Sequence, residues 1–168
     1  AVLSQLSLED FELQSQSDWS RILASMLQAS ERRSPGVALV RVNQDSLSPE
    51  EGGSPRSTLE IVSDDLPFLV DSFKMTLSAL GITCHAIVHP VLSVQRNADG
   101  NLASLPGPIK ESVMWMEIER QSPESADALV TAVRSTLEDV RVSVEDWQAM
   151  RDRMLEVAKI AANQKISN

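Results

Sequence analysis

The sequence predicts an α+β sandwich in the order strand, helix, strand, strand, helix, strand, the split βαβ or ferredoxin-like arrangement. Two observations carry this expectation. Two amphipathic helices repeat one spacing 60 residues apart, with Leu66, Leu69, Val70, Phe73 and Leu77 in the first and Ala126, Leu129, Val130, Val133 and Leu137 in the second. The segments around them alternate apolar and polar residues at the period of two that marks a half-buried strand. A further helix and strand are expected before this unit and a further helix after it.

The first 16 residues show no sustained period. Trp19, Ile22, Leu23, Met26 and Leu27 then fall on one helical face behind the cap candidates Ser17 and Asp18. Ser34-Pro35-Gly36 breaks that helix, and Val37 to Val42 is β-prone. Asn43 to Ser57 gathers Pro49, Gly52, Gly53 and Pro55 into a loop or linker. A strand over Thr58 to Val62 leads into Asp64-Asp65-Leu66-Pro67, where capping acids and a first-turn proline predict a helix start. Gly81 supplies its left-handed stop.

From Cys84 to Gln95 the even positions are mostly apolar, and Pro90, which removes a ladder donor, predicts an edge or a bulge. Asn97 to Lys110 reads as a long connection. A strand follows over Val113 to Glu119, with Met114, Met116 and Ile118 alternating against Trp115, Glu117 and Glu119. Ser122-Pro123-Glu124 opens the second helix as cap, first-turn proline and dipole-matched acid. Val140, Val142 and Val144 alternate with Arg141, Ser143 and Glu145 as a fourth strand, and a last helix is expected from about Asp146. Helices on one face of such a sheet leave the other to be covered, and the Trp19 helix and the C-terminal helix are the available covers.

With 168 residues the chain is long enough for one domain with extra segments, and its 42% hydrophobic and 23% charged content is that of a globular protein. No apolar run approaches the ~20 residues of a bilayer span. Fifteen Lys and Arg against 24 Asp and Glu give a net charge of −9, the wrong sign for phosphate backbones, so no nucleic-acid partner and no membrane are expected. The single Cys84 cannot form an internal disulfide, and no segment has a signal peptide's basic start and apolar middle. These features read as cytoplasmic.

Cys84, His85 and His89 are the one set that suggests a metal. On a strand, however, Cys84 points away from both histidines, and those lie about 13 Å apart at ~3.3 Å per residue, too far to share a zinc ion. No G-x-S-x-G elbow supports a hydrolase, and the six glycines contain neither G-x-G-x-x-G nor G-x-x-x-x-G-K. No catalytic residue, metal ligand or cofactor cradle is therefore expected in this chain. Trp115 could belong to an RNA-stacking platform, but the charge opposes that and favours packing under a covering helix or at a subunit contact.

Several words are more specific than the fold. Ile61-Val62-Ser63-Asp64-Asp65-Leu66-Pro67-Phe68-Leu69-Val70-Asp71-Ser72, Ile87-Val88-His89-Pro90-Val91-Leu92, Asn97-Ala98-Asp99-Gly100, Glu111-Ser112, Met116-Glu117-Ile118-Glu119-Arg120 and Val144-Glu145-Asp146-Trp147-Gln148-Ala149-Met150 together resemble the N-terminal ACT-like region of the large bacterial NAD-specific glutamate dehydrogenases. The resemblance runs from about Val37 to Met154. It implies an ACT-type sandwich over residues 58–145, preceded by a helix, strand and linker over 1–57 and followed over 146–168 by a helix leading to the next domain.

It further implies a piece of a multidomain enzyme that converts glutamate to 2-oxoglutarate and ammonium with NAD, the chemistry lying in a downstream domain. Its partners would be other domains and subunits of a homo-oligomeric enzyme and an amino-acid or related metabolite effector. The candidate effector-binding residues are Asp64, Asp65, Leu66, Phe68 and Leu69. Phe68 stands where effector-binding ACT modules place glycine, and its side chain is expected to fill the effector space. Two functions stay open: a regulatory and assembly module, or a purely structural oligomerisation or interdomain-contact module with no ligand.

Overall fold

A computed structural model describes residues 16–44 and 55–165. The aperiodic start of the chain and the centre of the loop expected over 43–57 lie outside them. The elements are α1 (Gln16–Ser30), β1 (Leu39–Asn43), β2 (Arg56–Asp64), α2 (Leu69–Ala79), β3 (Cys84–Val88), β4 (Val91–Arg96), β5 (Leu102–Glu119) and α3 (Pro123–Lys165). All strands pair antiparallel in one sheet of order β1-β2-β5-β3, with β4 also on β5.

Alternation along the strands sends side chains to two cores. On one face Leu59, Ile61, Met114, Met116 and Ile118 meet Leu69, Phe73 and Leu77 of α2 and Leu129, Val133, Leu137 and Val140 of α3. Side chains such as these stabilise by about 1.5–3 kcal/mol each when fully buried. The two helices touch at equivalent points of their shared spacing, where the Thr76 and Thr136 hydroxyls lie 2.6 Å apart. On the other face Val62, Val88, Leu92, Val94, Val113 and Trp115 pack under Trp19, Ile22, Met26 and Ala29 of α1. Trp115 is thus buried beneath the covering helix, as packing rather than as an exposed platform.

The expected α+β sandwich is present, but its outer strand has a different source. Residues 140–144 are not a strand. They continue α3, because Val133, Leu137, Val140 and Val144 extend the helical stripe while Val142 faces solvent, and no Gly or Pro follows Pro123. Arg141 adds ion pairs to Glu138 and Glu145, one turn away in each direction. The edge beside β2 is taken instead by β1, with Leu39 opposite Val62 and Asn43 opposite Thr58. The expected boundary between residues 145 and 146 therefore falls inside one helix, and the described side chains from Glu145 to Ile160 are exposed and cover no sheet face.

Two further differences are local. The single strand expected over Cys84 to Gln95 breaks after Val88, at His89-Pro90, into β3 and β4, where Pro90 predicts an edge or a bulge. The long connection over 97–110 is mostly the first part of β5, which pairs with β4 through bulges at Val94, Gln95 and Arg96. Gly81, with φ of 70°, ends α2 as expected, its neighbour Ile82 donating to the Leu77 carbonyl at 2.9 Å.

Candidate functional site

The turn after β2 holds the five candidate residues, and the structure distributes them among different surroundings. The helix begins at Leu69, later than expected, so Asp64 and Asp65 are not its caps. Asp64 closes β2 and binds Arg33 at 2.6 Å, while the Asp65 amide donates to the Lys110 carbonyl at 3.3 Å. Leu69 is buried in the core at 2% exposure.

Phe68 is the N-cap of α2, with φ of 69° and ψ of 4° and no side-chain cap. The turn thus keeps the left-handed backbone that suits glycine but carries an aromatic residue there, at a cost of roughly 1–2 kcal/mol. Its ring does not fill the interior of the turn. It is 71% exposed and lies along a groove between α2 and α3 with Met75, Thr136 and Val140. With its backbone in the αL region, the Phe68 side chain is exposed on the surface of the turn.

Asp64 and Leu66 share a different feature, an open cavity of about 290 Å³ lined also by Ala38, Leu137, Arg134 and Arg141. Its walls are mixed in charge. Arg141 is held by Glu138 and Glu145, whereas the exposed Arg134 has no ion-pair partner among the described residues. Asp64 gives one oxygen to Arg33, and its side chain remains 57% exposed. A guanidinium without an ion-pair partner among the described residues and a carboxylate thus flank an apolar floor.

Behind this cavity lies a buried ionic cluster that the sequence reading missed. Glu111, 1% exposed, accepts from Arg33 at 2.8 Å and from Arg96 through two nitrogens at 2.8 and 2.7 Å. The remaining guanidinium donors reach the Val37, Gly100 and Ser30 carbonyls and Asp64. Burial pushes the Glu111 carboxyl up, but the hydrogen bonds and charges of Arg96 and Arg33 outweigh it and hold the group below the usual carboxylate range. The cluster ties the segment after α1 to β2, β4 and β5 and so fixes the cavity wall. A second buried acid, Glu60, accepts from Ser25, Arg41 and Asn43 and joins α1 to the β1-β2 pair. The available signal was phase: Glu60 and Glu111 stand in register with Val62 and with Val113 and Trp115, on positions that face a core.

A larger cavity, about 730 Å³, opens at the β3 edge between α1 and α2, with Lys74, Cys84 and His85 beside Trp19 and Trp115. Burial raises the Cys84 thiol, opposed by the charge of Lys74. His89 instead faces Ser112 at 2.6 Å, and burial lowers its pKa against the pull of Asp65. Among the described residues no three His, Cys, Asp or Glu side chains come together as a metal group, and no helix is long and apolar enough to cross a membrane.

The family profile described as "Glutamate dehydrogenase, ACT1 domain" matches residues 1–133. The NAD-specific glutamate dehydrogenase of Pseudomonas aeruginosa strain PAO1 is 31% identical over 162 residues, 92% of this chain and 10% of that protein. The enzyme of the same name from Halomonas elongata is 30% identical over 125 residues, 70% of this chain and 8% of that protein. The chain thus spans about a tenth of the length of these curated relatives. No solved structure is significantly similar to it. On the profile match and these relatives, the chain belongs to the glutamate dehydrogenase ACT1 domain family.

Proposed function

We propose that this chain is a non-catalytic regulatory and assembly module of a large NAD-dependent glutamate dehydrogenase. The parent reaction is the oxidative deamination of L-glutamate to 2-oxoglutarate and ammonium. NAD and the reacting groups belong to another domain of that cytoplasmic, homo-oligomeric enzyme. The observation that supports an effector role is the mixed-charge cavity at the end of β2. Arg134 can take a carboxylate through two parallel hydrogen bonds, the second Asp64 oxygen can accept from an ammonium group, and Leu66, Ala38 and Leu137 can contact an apolar body. The volume is at the small end of ligand pockets, which suits an amino acid or a related metabolite.

Of the candidate residues, Asp64 and Leu66 would contact this effector. Leu69 would anchor the turn, and Asp65 and Phe68 would stand outside the cavity. Arg134→Gln in the whole enzyme should abolish the response to the effector and leave the unregulated rate unchanged. A response identical to that of the unaltered enzyme removes the proposal.

The edge of β3, which pairs only with β5 among the described residues, favours the second reading, a contact module with no ligand. That reading requires the β3 edge to be covered in the assembled enzyme. It fails if Ala86→Pro leaves assembly unchanged.

A further inference from the structure

The second half of α3 is amphipathic, and its described side chains from Glu145 to Ile160 pack against no other described element. Every described side chain from Glu145 to Ile160 is exposed, so at 1.5 Å per residue the helix continues roughly 24 Å past its contact with the sheet. Its exposed residues are not mixed at random. Trp147, Met150, Met154 and Val157, at 55, 59, 73 and 58% exposure, follow one another at spacings of three, four and three. At 100° per residue they form a single stripe, and Glu145, Asp152, Glu156 and Lys159 take the opposite side. Arg151 lies over the Trp147 ring at 5.4 Å and borders the stripe. Helices in water hold mainly by packing such a face, so this stripe calls for a cover.

Two occupants compete, and size separates them. A second copy paired along the stripe would form a coiled coil, but the apolar repeat spans less than two heptads where three to four are needed. The stripe offers on the order of 500 Å² of apolar surface, against ~800 Å² per partner in a stable association. A neighbour on the same polypeptide has no such requirement, because a tether sets an effective concentration in the millimolar range. The relatives carry about ten times the length of this chain, so such neighbours exist in the family. Two methionines at the centre also suit a contact that must adapt to an apolar groove rather than mirror itself.

We propose that Trp147, Met150, Met154 and Val157 form an intramolecular docking face for an apolar groove or helix on a neighbouring domain of the same polypeptide. This rests on the proposed place of the chain in a longer enzyme and is independent of any effector. The test compares amide hydrogen exchange over 147–160 in the 168-residue chain and in the whole enzyme, with Leu129–Leu137 as internal reference. The docking face predicts at least tenfold slower exchange over 147–160 in the whole enzyme, lost in Met154→Asp, retained in Met154→Leu, and no change in the reference. Equal exchange in both proteins overturns it. So does a 168-residue chain that doubles in mass at micromolar concentration and reverts with Met154→Asp, because the occupant is then a second copy. A missing effector response with the protection intact removes the sensing proposal and leaves this one standing.

Discussion

Glu111 sits buried between two guanidinium groups, and its neutralisation leaves buried positive charge without its carboxylate. In Glu111→Gln, Arg33 keeps its pair with Asp64, whereas Arg96, whose side chain is 5% exposed, keeps its charge and loses the carboxylate that balances it. Removing one partner of a buried pair costs about 3–5 kcal/mol, because the other charge stays buried without compensation. For a chain of this size each kcal/mol is worth roughly 2–4 °C, so the melting temperature should fall by roughly 6–20 °C. Urea unfolding followed by circular dichroism reads the difference as a lower midpoint at unchanged slope. Glu138→Gln is the control, because its pair with Arg141 is exposed on both sides, and it should leave the midpoint in place.

Acid dependence gives a second reading of the same group. Its folded pKa lies below the unfolded one, so its stabilisation is present above the usual carboxylate range. That contribution is lost as pH falls through the lowered folded value. Glu111→Gln should remove this part of the acid destabilisation. A loss of less than about 1 kcal/mol at neutral pH would show that the cluster is solvated and does not hold the cavity wall.

Four other outcomes follow from the geometry. Phe68→Gly should raise stability by about 0.5–1 kcal/mol in thermal unfolding, because glycine adopts the observed φ of 69° without strain and the lost side chain is mostly exposed. Gly100→Ala should destabilise by more than about 1 kcal/mol, since a Cβ at this φ of 82° would overlap the Arg33 carbonyl; an unchanged melting temperature contradicts that approach. Val142→Ala should be neutral or stabilising by a few tenths of a kcal/mol in α3, whereas loss of stability would restore the strand reading of 140–144. His89 has a lowered folded pKa and prefers to fold neutral, so stability should decline as pH falls from about 6.5 through that lower value. His89→Gln should flatten this decline in urea midpoints measured between about pH 7 and 5.

The helices were legible because their apolar spacing is sustained and punctuated: Gly81 stops α2, and the Ser122 hydroxyl accepts from the Ser125 amide at 3.2 Å at the start of α3. Val140 to Val144 misled because three alternating valines fit both periods, and only their continuity with Leu137 selects the helix. The source of the outer strand was not legible, since local alternation in β1 does not say which edge it joins. The site was legible in part. Asp64 and Leu66 were readable from the turn, but Arg134 and Arg141 reach the same cavity from a helix some 70 residues away, a juxtaposition set by α3 packing on the sheet. The exposure of Phe68 was not legible, because it depends on a backbone angle that residue type does not announce. Glu111 fell between the connection read over 97–110 and the strand read from Val113, and its burial follows from β5 beginning at Leu102.

The most direct measurement of the central claim is a thermal-shift titration of the 168-residue chain with amino acids, 2-oxoglutarate and nucleotides. A ligand at 100 times its dissociation constant adds about 2.7 kcal/mol, or roughly 5–11 °C here. The account predicts a saturable rise with an amino acid or a related carboxylate metabolite, absent in Arg134→Gln; a folded chain whose melting temperature does not move with any of them contradicts it.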